Sequence, residues 1–474
     1  MTSRGTGSLK PFEYVKTTVT EATTTKKKSV GSALSVRSRT DLTAKTLAGA
    51  VVRPLTLRSA ARPAYIARLS STTAHPTDAT HYDVQLRPDG LRVRNLQGEH
   101  VKRETLPHFW LRDNCRCEKC VNQQTMQRNF ETFAISETIR PDKVTPGAEG
   151  LSIKWRGDGH QSFYPWKFIK HYLKNDHRSS EDVEQRLWGA DIDIDRPVVS
   201  YQELMTPNNE SGIARLTNLI RENGFVFVSG TPFDTPDATQ EALEKIAFIR
   251  KTHYGGFYDF IPDMAHADTA YTNLALPAHT DTTYFSDPAG LQAFHMLSHE
   301  APPGAPTGEL GGKSLLVDGF YAASILLEED PQAYEILSKV KLPWHASGNE
   351  GITIAPNKRY PVLELDETTG KLARVRWNND DRGVVPFGEG YSPAESYAAA
   401  RKWDAILRRP EVEYWVQLKP GHLLIFDNWR VMHGRSAFEG RRRMCGAYIN
   451  RDDFISRWRN TNFPREDVLS QVVG

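Results

Sequence analysis

Pro277-Ala278-His279-Thr280-Asp281-Thr282-Thr283-Tyr284-Phe285 is the stretch on which the reading of this chain turns, together with a distant partner, Phe426-Asp427-Asn428-Trp429-Arg430-Val431-Met432-His433-Gly434-Arg435. A His-x-Asp pair followed far downstream by a second His supplies two imidazoles and one carboxylate. Three such ligands occupy one face of an octahedral Fe(II) and leave the other face open for reactants. His279, Asp281 and His433 are therefore the candidate iron ligands.

A His-x-Asp pair alone carries little weight, because with 15 His in the chain on the order of one arises by chance. A second one is present, His266-Ala267-Asp268. Context separates them. The β-branched and aromatic run Thr282-Thr283-Tyr284-Phe285 predicts a strand through His279 and Asp281, with both side chains on one face. His266 instead follows Pro262-Asp263-Met264-Ala265, a loop-like stretch, and is a poor chelate. Downstream of His433 comes Arg442, with Met444, Gly446 and Tyr448 expected on the same strand face. An Arg directed into an apolar barrel is costly unless it meets a buried anion, and a dicarboxylic cosubstrate provides one. The ordinary alternatives are a satisfied core histidine at 433 and a solvated charge run at Arg441-Arg442-Arg443. The joint order of His-x-Asp, long gap, His-Gly and then Arg before an apolar strand favours the iron reading.

The chain is 474 residues long, 39% hydrophobic and 25% charged, a soluble composition sufficient for two or three domains. No apolar run approaches the roughly 18 residues of a membrane span, so no membrane partner is expected. Residues 1 to 70 hold 13 Lys or Arg against 3 Asp or Glu, a net of +10; the whole chain carries +2, so the remainder carries −8. An acidic folded part removes the main electrostatic support for nucleic-acid binding. Residues 1–80 lack core-forming periodicity and are excluded from the fold. Arg37, Arg39, Arg53, Arg58, Arg62 and Arg68, spaced among small and apolar residues, read as a mitochondrial transit peptide directing the chain to the matrix. The alternative is a disordered basic tail on a cytoplasmic protein.

Residues 81–180 read as a small β-rich domain, with strands at 82–86 and 151–155. Within it, Cys115-Arg116-Cys117-Glu118-Lys119-Cys120 cannot pair into unstrained disulfides. Three thiolates and His160 would complete a tetrahedral structural zinc site, although His171 and His177 compete for the fourth position on spacing alone. Cys445 is placed in a buried strand. A polar connector at 175–182 leads to the larger domain, 190–460. There a helix is expected over 212–223, a strand over 224–228, a helix over 241–252 and, after a capping sequence at Ser392-Pro393-Ala394-Glu395, a helix over 393–408. Strands dominate elsewhere, with 421–426 and 442–449 flanking a turn that holds His433. The fold class is mainly β with helices: a double-stranded β-helix of the jelly-roll type behind a small zinc-binding β domain.

At this point the sequence resembles the 2-oxoglutarate-dependent γ-butyrobetaine and trimethyllysine dioxygenases of carnitine synthesis, over about residues 81 to 460. The likeness rests on Trp110-Leu111-Arg112-Asp113-Asn114-Cys115, His279-Thr280-Asp281, Leu316-Val317-Asp318-Gly319-Phe320, and Phe426 to Arg435. Thr282 after the triplet, where the butyrobetaine branch usually has Tyr, and Asp318-Gly319-Phe320-Tyr321-Ala322-Ala323 are closer to the trimethyllysine branch. The resemblance implies hydroxylation of N6-trimethyl-L-lysine at C3, with Fe(II), 2-oxoglutarate as cosubstrate, ascorbate and structural Zn(II), in a homodimer. It implies iron on His279, Asp281 and His433, and zinc on Cys115, Cys117, Cys120 and His160. It further implies that Arg442 pairs with the distal carboxylate of 2-oxoglutarate, assisted by Ser314 where relatives usually carry Thr. For the substrate it implies a cage for the quaternary ammonium among Tyr254, Tyr258, Tyr271 and Tyr448, Tyr258 standing where Trp is common. Asp268 would aid cation recognition, and Asn378 and Asn379 would orient the polar end. The rival readings are γ-butyrobetaine hydroxylation, demethylation of methyl-lysine in chromatin, and a zinc-stabilised β-barrel binding module without chemistry.

Overall fold

Phe225-Val226-Phe227-Val228 contains no polar residue because the strand Phe225–Ser229 is covered on both faces. Phe225 and Phe227 point into a core with Leu316, Leu424, Phe426, Val431 and Met444, which belong to two different sheets. Val226 and Val228 point the other way, against Ile213, Leu216 and Ile220 of the helix Ser211–Asn223 and Phe454 of the helix Arg451–Asn462. The strand Ser314–Asp318 sorts its residues in the same manner. Leu316 faces the inner core, while Leu315 and Val317 face the helices Gly319–Glu329, Pro331–Lys339 and Pro393–Leu407. Side chains of period two thus build a layered body, helices outside and two sheets within.

The computed structural model describes residues 82–95, 105–174, 183–262, 272–304, 310–388 and 390–472. The leader at 1–80, the connector at 175–182, the His266 pair with Asp268, and Tyr271 lie outside the described residues. One sheet has six strands in the order Val198–Ser200, Phe225–Ser229, His422–Asp427, Leu291–Glu300, Arg441–Ile449, Tyr258–Phe260. The other has four, in the order Leu276–His279, Val431–Arg435, Ser314–Asp318, Tyr414–Val416. Neighbours run antiparallel except Val198–Ser200 beside Phe225–Ser229. Toward the N-terminus, two three-stranded antiparallel sheets and the helices His108–Asp113 and Trp166–Lys174 enclose a separate core of Leu91, Leu111, Leu151, Ile153, Trp155 and Ile169.

Several expectations need correction. The helix placed over 241–252 runs instead over Asp237–Ile246. Ala247 is extended, Ile249 bridges to Ile449 and the Arg250 N–H donates to the Tyr448 carbonyl, so the chain leaves the helix to pair with the last long strand. Strands do not dominate the C-terminal third of the chain: Gly319–Glu329, Pro331–Lys339, Arg451–Asn462 and Arg465–Val472 are helices. The first is apolar on nearly all sides and shows no stripe. The second carries a readable signal, because Asp330 accepts from the Ala333 N–H ahead of Pro331. Before Pro393–Leu407, the same logic holds in full, with Ser392 and Glu395 forming a reciprocal capping box. His433 lies within the strand Val431–Arg435 and not in a turn; the turn precedes it, closed by the Arg430 N–H on the Asp427 carbonyl. Gly434 is what lets this strand close on its neighbour, since a Cβ there would stand 2.5 Å from the Leu276 carbonyl oxygen.

Candidate active site

His279 ends the strand Leu276–His279, and its register partner across the antiparallel pair is His433. The two rings have centroids 4.3 Å apart. Asp281 Oδ1 lies 3.3 Å from His279 Nε2 and 3.9 Å from His433 Nε2. One carboxylate oxygen and two ring nitrogens therefore converge, as a facial set for Fe(II) requires. His279 Nδ1 is 2.8 Å from the Pro277 carbonyl and donates to it, which leaves Nε2 for a metal.

The pair does not share a strand, contrary to expectation. The strand stops at His279, and Thr282 takes a left-handed φ of 57°, rare for a β-branched residue. Side chains hold this turn in place of ladder bonds. Asn428 accepts from the Asp281 N–H at 2.8 Å and donates to the carbonyls of Asp281 and Ala289 at 2.9 and 3.1 Å. Thr282 Oγ1 accepts from the Ala289 N–H at 2.9 Å, and Arg376 donates to the carbonyls of Thr283 and Phe285. Only the Thr282–Ala289 bond is local; Asn428 and Arg376 reach the turn from far along the chain.

The second oxygen of Asp281 is fully engaged. Gln292 Nε2 and the Tyr448 hydroxyl each donate to Oδ2 at 2.6 Å, so Oδ1 is the atom left for a metal. Burial alone would raise the Asp281 carboxyl, but His433, His279 and Tyr448 together hold it well below the usual carboxylate range. Burial, then the neighbouring His279, pushes His433 down to about 3, so its imidazole is neutral as a ligand must be.

The three ligands lie where two cavities meet. The smaller, about 90 Å³, is lined by Ser314, His433 and Arg442; the larger, about 290 Å³, by Tyr254, Tyr258, Tyr448, Gln292, Asn378 and Asp381. Both touch His279 and Asp281. Arg442 is only 4% exposed and its Nε has no hydrogen-bond partner. Burial and then Arg435 lower it to about 10, which leaves it cationic at neutral pH. A buried cation with open donors fits a carboxylate, and Ser314 adds a hydroxyl in the same cavity.

Of the expected substrate residues, Tyr254 packs on His253 with centroids 3.9 Å apart, and Tyr258 donates its hydroxyl to the Ala293 carbonyl at 2.7 Å. Tyr448 stands edge to face with Tyr258 at 6.0 Å, but its hydroxyl is committed to Asp281. Asn378 reaches the larger cavity and its Oδ1 accepts from the Asp380 N–H; Asn379 lines a neighbouring cavity, with its side chain on Arg382. Gln292, Asn428, Thr283 and Asp381 were missed by motif reading. Gln292 had a signal, a lone amide inside the apolar run Leu291-Gln292-Ala293-Phe294.

Away from this site, His160 Nε2 stands 3.3, 3.6 and 3.4 Å from the sulfurs of Cys115, Cys117 and Cys120. His171 is not part of the cluster; it packs edge to face on Tyr172. Burial and Cys115 push the Cys120 thiol up to about 12, whereas burial of Cys117 is outweighed by hydrogen bonds that lower it, so Cys120 is the thiol that resists ionising without a dication beside it. A dication inverts that balance, and one nitrogen with three sulfurs suits zinc. Asp158 supports the cluster, accepting from the His160 N–H at 2.9 Å and from Arg112 at 2.9 Å.

A family model described as taurine catabolism dioxygenase TauD, TfdA family, matches residues 180–448, and one described as γ-butyrobetaine hydroxylase-like, N-terminal, matches residues 91–170. Over 398 residues the chain is 63% identical to a trimethyllysine dioxygenase of Neurospora crassa, covering 79% of this chain and 84% of that protein. It is 40% identical over 378 residues to a trimethyllysine dioxygenase of Meyerozyma guilliermondii, covering 77% and 92%. Over 360 residues it is 38% identical to the mitochondrial trimethyllysine dioxygenase of Homo sapiens, covering 74% and 81%. With the ligand set, the two cavities and these relatives in agreement, the chain belongs to the TauD, TfdA dioxygenase family and, within it, to the trimethyllysine dioxygenases.

Proposed function

We propose that this chain is an Fe(II)- and 2-oxoglutarate-dependent dioxygenase that hydroxylates N6-trimethyl-L-lysine at C3, the first step of carnitine biosynthesis, on a double-stranded β-helix. The observation that carries the reading is the position of His279, Asp281 and His433 between a cavity holding a buried guanidinium and a cavity walled by tyrosines and carboxylates. Iron held by His279, Asp281 and His433, with 2-oxoglutarate and dioxygen as cosubstrates, would supply oxidative decarboxylation to succinate and carbon dioxide, one oxygen atom of dioxygen entering succinate and the other a substrate C–H bond.

The chain's own residues bind and orient. Arg442 and Ser314 seat the distal carboxylate of 2-oxoglutarate, and Gln292 and Tyr448 stop Asp281 from turning. Tyr254 and Tyr258 offer ring faces to the quaternary ammonium, which has no N–H and is best held by cation–π attraction. The walls exclude water from the reacting carbon. We also assign structural zinc to Cys115, Cys117, Cys120 and His160, a mitochondrial location, support by ascorbate, and a homodimer.

The deciding experiment supplies Fe(II), ascorbate and 2-oxoglutarate with trimethyllysine, γ-butyrobetaine or a methylated histone peptide, and measures succinate and hydroxylated product. Product from trimethyllysine alone is expected. No succinate with trimethyllysine overturns the proposal.

A further inference from the structure

We propose that Asp381, presented by Thr283, receives the α-ammonium of the substrate, and that this contact selects an amino acid over γ-butyrobetaine. The inference rests on the reading of the chain as a trimethyllysine dioxygenase.

Thr283 comes two residues after the ligand Asp281 and is fully buried. Its hydroxyl donates to Asp381 Oδ2 at 2.6 Å, and its carbonyl is held by Arg376. On the other side the His345 N–H donates to the Asp381 carbonyl at 2.9 Å. The carboxylate is therefore tethered to the same turn that carries the metal ligand. A threonine hydroxyl is a neutral donor: it orients the carboxylate without cancelling its charge.

Among the described residues, the charged side chains of the surrounding wall are carboxylates. Asp380 and Asp381 line the larger cavity beside Asp281, and no Lys or Arg is among the described residues that line it. The smaller cavity beyond the ligands has Arg442 and Arg435. A cationic substrate is drawn to one side and a dicarboxylate to the other.

Trimethyllysine carries two cations of different chemistry. Its quaternary ammonium has no donor and suits ring faces. Its α-ammonium has N–H donors and, once removed from water, needs a charged acceptor. The reacting carbon is two bonds from the α-nitrogen and four from the quaternary nitrogen. With that carbon at the metal, the α-ammonium is confined to the metal-proximal wall, where the Thr283 tether holds Asp381. γ-Butyrobetaine has no N–H to donate to this carboxylate, so it gains none of the charged hydrogen bonding that the α-ammonium supplies.

The test compares trimethyllysine with 6-(trimethylammonio)hexanoate, the same chain without the α-amino group, on wild-type protein, Asp381→Asn and Thr283→Val, each checked for melting temperature. Wild-type protein should favour trimethyllysine in kcat/KM by roughly 100-fold or more. Asp381→Asn should lower that preference by about 100-fold, chiefly through KM for trimethyllysine, and Thr283→Val by about tenfold. Equal losses on both substrates, or a preference untouched by Asp381→Asn, overturn the assignment while trimethyllysine turnover by wild-type protein keeps the proposed function standing. Should Asp381→Asn fail to fold, the wild-type preference and Thr283→Val decide the matter alone; absence of a wild-type preference overturns it. No wild-type turnover of trimethyllysine overturns both readings.

Discussion

His279 and His433 stand directly opposite each other on neighbouring antiparallel strands, ring centroids 4.3 Å apart. Register alone brings the two imidazoles together, and the Asp281 turn adds the carboxylate beside them. Replacing His433 by Ala should abolish succinate formation and strip iron from the protein, while circular dichroism stays close to wild type. The loss should exceed the roughly 10- to 100-fold that removal of an outer partner of a metal ligand causes.

Tyr448, expected from the sequence in the cation cage, also touches the carboxylate of a candidate metal ligand. Its hydroxyl holds Asp281 Oδ2 together with Gln292, so Tyr448→Phe keeps the ring and removes the bond. Iron affinity should fall by about tenfold or more, with the KM for substrate little affected. A change in substrate KM alone would return Tyr448 to the cage.

Arg442 should govern the cosubstrate and nothing else. Arg442→Met fills the same space without the charge, and losing a buried charged partner typically costs about 2–5 kcal/mol. The KM for 2-oxoglutarate should rise roughly 30-fold or more. Stability of the free protein should hold or increase, because a buried cation beside another, Arg435, is removed.

Cys120→Ser should abolish zinc binding, measured by elemental analysis, and lower the melting temperature, whereas His171→Ala should do neither. Asp158→Asn should weaken zinc binding about 10- to 100-fold, since it removes the charge that steadies the His160 loop and Arg112.

His295 is fully buried, with Nδ1 2.7 Å from the Thr239 hydroxyl and Nε2 accepting from the Gly421 N–H at 3.1 Å. Burial, with a smaller push from His422, lowers it from 6.5 to about 4. The unfolded chain therefore takes up this proton before the folded one does. Stability is fully present above pH 6.5 and is lost as pH falls toward about 4, by about 3 kcal/mol in all. Urea midpoints at pH 7.5 and 5 should differ accordingly, and less so in His295→Gln.

The local features of the chain were open to reading because short-range physics sets them. The helix at Ser211–Asn223 repeats Ile213, Leu216 and Ile220 on one face, the helix at Pro393–Leu407 announces itself by its capping box, and Phe225-Val226-Phe227-Val228 can only be a strand buried twice over. The ligand types were also open, because few residues can hold iron or zinc and their order along the chain is distinctive. What stayed hidden depends on partners far away in sequence. The β-branched run after Asp281 has strand propensity, yet Asn428 and Arg376 fold it into a turn by binding the main chain of Asp281, Thr283 and Phe285 from distant segments. Tyr448 reads as another aromatic until its hydroxyl is seen on Asp281, and Asp381 reads as a surface acid until Thr283 draws it to the metal's side. Periodicity sorts residues into inside and outside, but which buried polar groups meet is set by strand order and register, and those emerge only when the whole chain has packed.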